Sequence, residues 1–174
     1  MYLIVPGING SGPEHWQTLW ERADSSFVRV KQKDWDNPEL DTWMEALNRA
    51  VEETPGSWIV AHSLGCLMIV SRKFAGAVKG AFLVAPPDPA GPEFPSVARS
   101  FADVEQGRLR FPTMIVASEN DPYATIEFAR RCATTWGSQF RSVGKKGHIN
   151  SSSGLGFWQE GYDLFLKFTK DEGR

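Results

Sequence analysis

The sequence predicts a single compact α/β domain, with a mostly parallel sheet of about six strands and helices on both faces. Two observations carry this. Short continuous apolar runs recur along the chain, each bounded by glycine, proline or polar residues. Between them lie stretches with apolar residues at i, i+3, i+4 and i+7, the spacing of one buried helical face. Strands alternating with helices of this length make βα units, and runs that are apolar without alternation suit strands covered on both faces. At 174 residues the chain supports one sizeable core and not two.

The elements follow in order. Tyr2-Val5 is a buried strand stopped by Pro6-Gly7. Trp16-Ala23 places Trp16, Leu19, Trp20 and Ala23 on one helical face. Phe27-Lys31 alternates and belongs nearer the sheet edge. Asp41-Glu53 carries Trp43, Leu47, Ala50 and Val51 on one stripe. Trp58-Ala61 is the third strand, and a helix over Leu64-Phe74 follows almost at once. Ala81-Val84 and Thr113-Ala117 are the next strands. Between them runs Pro86-Pro112, with six prolines and a short helix expected around Val97-Glu105. A connection this long in a compact domain is either an active-site loop or a surface crossover stiffened by proline. Ala124-Thr135 is helical, Gln139-Val143 is a weaker last strand, and Phe157-Phe168 is the last helix. The tail Lys170-Arg174 is polar and expected to fray.

Composition narrows the function classes. Apolar residues make up 41% and charged residues 23%, as in an ordinary globular domain. A net charge of −2 gives no reason to expect a nucleic-acid partner, and Lys145-Lys146 is too short to track a phosphate backbone. Cys66 and Cys132 read as free thiols. The N-terminus carries no basic leader, and no segment approaches the ~20 apolar residues of a membrane span, so the default location is the cytoplasm. The three histidines and two cysteines show none of the short spacings of a zinc site, so neither a metal nor another cofactor is expected. The glycine-rich loop after the first strand has no following Gly-Lys-Ser/Thr and lacks the dinucleotide spacing.

Trp58-Ile59-Val60-Ala61-His62-Ser63-Leu64-Gly65-Cys66 has the form of a nucleophile elbow. A serine there stands on a sharp strand-to-helix turn with its hydroxyl exposed. The standard pattern has glycine two residues before and two after the serine. Gly65 fits, and Ala61 replaces the first glycine at the cost of one methyl. An activated serine needs a base and a group that orients the base. Ser118-Glu119-Asn120-Asp121-Pro122 lies past one strand, and Gly144-Lys145-Lys146-Gly147-His148-Ile149-Asn150 past the next. The order Ser63, Asp121, His148, each beyond its own strand, is that of an α/β-hydrolase.

Asp121 is the favoured acid because its turn is compact and its strand should adjoin the one leading to His148. Asp88, Asp34 and Asp36 also lie past strands, and Glu119 is a weak substitute. Oxyanion donors are expected from the backbone N–H groups of Leu64 and Asn9. His15 either lines the pocket or hydrogen-bonds near the helix start. Trp158 is either a pocket wall or core. His62 is expected to pack against the loops rather than act as base, and Ser151-Ser152-Ser153 to be a polar loop.

With these residues placed, the chain resembles the retinoblastoma-binding protein 9 family of small serine hydrolases and its bacterial relatives. The likeness runs nearly end to end. It covers Pro6-Gly7-Ile8-Asn9-Gly10-Ser11, His15-Trp16, Ala61-His62-Ser63-Leu64-Gly65, Val84-Ala85-Pro86, Asn120-Asp121-Pro122 and Gly147-His148-Ile149-Asn150. The resemblance implies a six-stranded, lid-poor core with Ser63 as nucleophile, Asp121 as acid and His148 as base, and a general serine-hydrolase or esterase activity; with no room for a separate lid domain, the expected substrate is a small ester. The alternative is a protein-binding module that keeps the fold with little or no turnover. The Leu-x-Cys-x-Glu segment tied to retinoblastoma-protein binding is missing, since Leu64-Gly65-Cys66 continues with Leu67-Met68.

Overall fold

The computed structural model describes residues 1–173. Six strands form one sheet: β1 (Tyr2–Val5), β2 (Phe27–Arg29), β3 (Trp58–His62), β4 (Gly80–Val84), β5 (Thr113–Ala117) and β6 (Gln139–Ser142). Their order is β2-β1-β3-β4-β5-β6, and every pairing is parallel. Five helices connect or follow them: α1 (Trp16–Ala23), α2 (Leu40–Glu53), α3 (Leu64–Val70), α4 (Ile126–Trp136) and α5 (Gln159–Glu172).

Strand side chains alternate between two cores, because successive residues of a strand point to opposite faces. Leu3, Val5, Ile59, Ala61, Leu83 and Ile115 join Trp43, Leu47, Leu67 and Trp136, so α2, α3 and α4 cover that face. Ile4, Trp58, Val60, Phe82, Val84 and Val116 join Trp16, Trp20, Phe165 and Phe168, so α1 and α5 cover the other. The central strands β3, β4 and β5 are buried along their whole length, as their unbroken apolar character requires. The edge strand β6 alternates between exposed and half-buried residues. No separate lid is present among the described residues.

Most boundaries shift by only one or two residues from expectation, as β2 and α4 do, and three further departures have a visible physical cause. The helix expected over Leu64-Phe74 ends at Val70, where Ser71 turns extended and its hydroxyl accepts from the Lys73 N–H. The chain then bridges Ser71 to Gln106, while the Arg72 N–H donates to the Glu105 carbonyl. Those backbone bonds outcompete another helical turn. The last helix starts at Gln159 rather than Phe157 and runs to Glu172. Its polar end is held by a bond from Gln139 Nε2 to Glu172 Oε1 and carries Lys170 in the last turn, where a cation complements the helix dipole. The expected fraying of Lys170-Arg174 therefore does not reach Glu172, and Arg174 lies outside the described residues. Within Pro86-Pro112 the short helix is a 3-10 segment over Ser96–Phe101. It buries Ala98 and Phe101 and caps the start of α2 through a bond from the Leu40 N–H to Ser100 Oγ.

Candidate active site

The carboxyl ends of β1, β3, β4, β5 and β6 meet at one edge of the sheet, and the chemistry-bearing residues lie on the loops that leave them. Ser63 follows β3 directly with φ 54° and ψ −124°, a strained conformation for a non-glycine residue. Its N–H donates to Val84 O at 3.0 Å and its carbonyl accepts from the Cys66 N–H at 2.9 Å. The turn is wedged against β1. A Cβ on Gly65 would lie 2.3 Å from Val5 O, and one on Gly7 would lie 2.8 Å from Ser63 Cβ. Ala61 is fully buried in β3, paired with Val5 on one side and Leu83 on the other.

Three side chains converge there. His148 Nε2 lies 2.9 Å from Ser63 Oγ, and His148 Nδ1 lies 2.9 Å from each carboxylate oxygen of Asp121. A carboxylate only accepts, so Nδ1 carries the proton and Nε2 is free to accept from the serine hydroxyl. The side chains of His148 and Asp121 are 8% and 3% exposed, which keeps water from competing for these bonds. Asp121 Oδ1 also accepts from the Tyr123 N–H at 2.9 Å. The loops that carry Asp121 and His148 are tied together as well. Ser118 Oγ accepts from the Lys146 N–H and Asn120 Oδ1 from the Gly147 N–H, both at 2.9 Å.

The other carboxylates stand apart from His148. Asp88 caps its own turn by accepting from the Ala90 N–H, and its backbone N–H holds Tyr123 O. Asp34 caps an exposed turn by accepting from the N–H groups of Asp36 and Asn37. Glu119 accepts from Ser142 Oγ and faces solvent.

A cavity of about 280 Å³ opens over Ser63. Its walls include Ile8, Asn9, His15, Pro87, Pro95 and Tyr123, so the proline-rich connection borders the site. His15 does both things the sequence allowed. It lines this cavity, and its Nδ1 accepts from the Gln17 N–H at the start of α1. Burial, Arg29 and His148 lower its pKa to about 3, so the ring is neutral. Trp158 departs from its role as a pocket wall. It is 4% exposed and packs on Trp16 and Trp20 in the core beneath α1. Ser151-Ser152-Ser153 forms a 3-10 turn capped by Asn150, with Ser151 and Ser152 at the cavity rim.

The expected oxyanion donors need one correction. Leu64 is the first residue of α3, so its N–H has no partner within the helix. The Asn9 N–H is not free, because it donates to Trp35 O at 3.1 Å. Its neighbour Ile8 also lines the cavity, and its N–H has no acceptor among the described residues. The tight approach of Gly7 to Ser63 brings this segment beside the Ser63 side chain. Sequence reading chose Asn9 over Ile8 within the Gly7-Ile8-Asn9 loop, and it missed Tyr123, Ser118 and Asn120. For the last two, the only signal was their position between Ala117 and the acid.

Cys66 is buried, donates to Val84 O at 3.3 Å, and burial pushes its thiol well above the ordinary range, so it is a packing residue. No group of three or more potential metal-ligating side chains occurs among the described residues. No helix among them is long and apolar enough to cross a membrane.

A family model described as "Serine hydrolase" matches residues 2–167. A Pectobacterium atrosepticum protein described as a ydeN-like hydrolase is similar at 31% identity and TM-score 0.87, over 99% of this chain and 91% of its own. The ydeN gene product of B. subtilis superposes at 20% identity and TM-score 0.82, over 97% and 98%. A thermophilic esterase from Thermogutta terrifontis shares the fold at 13% identity and TM-score 0.69, over 98% and 89%. No curated protein sequence matches the chain.

Proposed function

The chain belongs to the serine hydrolase family, and from that premise we propose that it cleaves small esters through an acyl-enzyme on Ser63. The observation that carries this reading is the unbroken chain of 2.9 Å contacts from Ser63 Oγ through His148 to Asp121. In the first step His148 Nε2 takes the hydroxyl proton as Oγ attacks the ester carbonyl. Asp121 holds the imidazole in the Nδ1–H tautomer and stabilises the imidazolium. The negative oxygen of the tetrahedral intermediate is met by the N–H groups of Leu64 and Ile8. The intermediate collapses, His148 returns the proton to the leaving alcohol, and the acyl group stays on Oγ. Water, deprotonated by His148, then attacks the acyl carbonyl; the second tetrahedral intermediate collapses to the free acid, and His148 gives the proton back to the departing Ser63 Oγ.

The small cavity volume and its rim of short polar residues favour short acyl chains. The finer resemblance to the retinoblastoma-binding protein 9 family supports the same assignment of Ser63, Asp121 and His148. A fluorophosphonate probe should label the wild type and fail on Ser63→Ala. A panel of esters graded in acyl length should show turnover falling with length. Equal labelling of both proteins overturns the nucleophile. A preference for long chains overturns the substrate class. No turnover on any ester, together with a tight protein partner, favours the binding module.

A further inference from the structure

Two consecutive carbonyls of the loop that carries His148 are taken by buried side-chain donors from distant parts of the chain. His62 Nε2 is 2.9 Å from His148 O, and Trp16 Nε1 is 2.7 Å from Ile149 O. A carbonyl only accepts, so His62 carries its proton on Nε2. Burial pushes the His62 pKa well below its ordinary value, which keeps that single proton where the bond needs it. His62 and Trp16 are 4% and 1% exposed. Ile149 has φ 48°, a left-handed conformation costly for a β-branched residue. A loop in that conformation persists only if its surroundings hold it.

We infer that His62 and Trp16 are positioning residues that clamp the backbone of the base against the nucleophile. The inference rests on the reading of His148 as base. Its geometry is economical: His62 is joined to Ser63 by one peptide bond and to His148 by one hydrogen bond. The spacing between Ser63 Oγ and His148 Nε2 is thereby set across two short links. Without the clamp the ring keeps its bond to Asp121, and the loop bearing it is held only from the Asp121 side and can shift relative to Ser63. The clamp also accounts for the His15-Trp16 motif, because His15 packs edge-on against His62 at 4.7 Å between ring centres.

An internal comparator exists. Trp20, one turn along α1, donates to Phe157 O at 2.6 Å on the same stretch of chain, nine residues beyond His148. A merely structural role predicts the same outcome for Trp16 and Trp20. The test compares Trp16→Phe, Trp20→Phe, His62→Leu and His62→Gln, the last keeping an N–H donor. Each is measured for ester kcat and KM, for melting temperature, and for the downfield proton resonance of His148 Nδ1–H. Trp16→Phe and His62→Leu should lower kcat by about 10- to 100-fold with KM little changed, since a displacement near 1 Å costs on that order. Their downfield resonance should broaden, and His62→Gln should recover much of both signals. Trp20→Phe should lower the melting temperature and leave kcat and the resonance as in wild type. If all the variants shift only the melting temperature, or Trp20→Phe matches Trp16→Phe, the clamp is wrong. Should His62→Leu not fold, Trp16→Phe against Trp20→Phe decides alone. A wild type without turnover would refute the hydrolase reading, while the resonance would still judge the clamp.

Discussion

The backbone N–H of Asn9 donates to the carbonyl of Trp35 at 3.1 Å, and this bond separates it from its neighbour Ile8, whose N–H has no acceptor among the described residues. On the proposed mechanism it takes Asn9 out of the oxyanion donors and leaves Ile8, which also lines the cavity, as the candidate. The bond also explains Gly10, whose φ of 64° and near contact with the Trp35 ring leave no room for a Cβ.

The first prediction follows. Ile8 is the first residue of a 3-10 turn, and Gly7 before it is extended, a context that accepts proline. Ile8→Pro should fold, keep the Ser63–His148 pair and lack one oxyanion donor. We expect kcat to fall by about 10²- to 10³-fold. Steady-state kinetics beside a thermal melt checks this. Wild-type kcat in a folded Ile8→Pro protein would place the donor elsewhere.

The second prediction separates the carboxylates. Both oxygens of Asp121 face His148 Nδ1, whereas Asp88 caps its own turn. Asp121→Asn should lower kcat by up to about 10⁴-fold, since an amide can hold the imidazole in the wrong tautomer. Asp88→Asn should cost far less. Activity surviving in Asp121→Asn and lost in Asp88→Asn, with both folded, would reverse the assignment.

The sheet and the three side chains that meet at its edge were legible because each leaves a local mark. Apolar runs mark β3, β4 and β5, and Ser63, Asp121 and His148 each stand just past a strand end. What stayed hidden depends on contacts far apart in sequence. Trp158, ten residues past His148, could be read either as a pocket wall or as core, and only its packing against Trp16, 142 residues away, decides for the core. Asn9 and Ile8 are indistinguishable as letters, and only the bond to Trp35 separates them. The C-terminal end of the helix before Ser71 was misjudged for the same reason, since its competitor is the backbone of Glu105.

A third prediction concerns acid stability. The folded-state pKa of His15 is lowered from 6.5 to about 3, so below pH 6.5 the unfolded chain binds a proton that the folded chain refuses. Its share of stability is therefore complete above pH 6.5 and is lost as pH falls toward 3, at up to about 1.4 kcal/mol per pH unit. His15→Asn keeps a side-chain acceptor at the start of α1 but does not titrate. Urea unfolding at pH 7.5 and pH 5 should show a smaller loss for His15→Asn than for wild type. Equal losses would mean that the ring gains its proton without unfolding.

The last prediction tests why Gly65 and Ala61 obey different limits at the elbow. A Cβ on Gly65 would stand 2.3 Å from Val5 O and 2.9 Å from Pro6 O. These are backbone atoms of β1 and its exit, so neither can swing aside as a side chain would. Gly65→Ala must push α3 away from β1, and overpacking of this kind costs about 1–3 kcal/mol. The same push moves the Leu64 N–H off the oxyanion position, so kcat should fall more than stability alone accounts for. Ala61 instead sits within β3, where its methyl is part of the core beside Val5 and Leu83. Ala61→Gly should therefore fold, lose roughly 1 kcal/mol from strand entropy and lost packing, and still react with a fluorophosphonate. Labelling rates and melting temperatures of both variants make the comparison. Equal labelling of Gly65→Ala and wild type would mean that the elbow yields where the backbone contacts say it cannot.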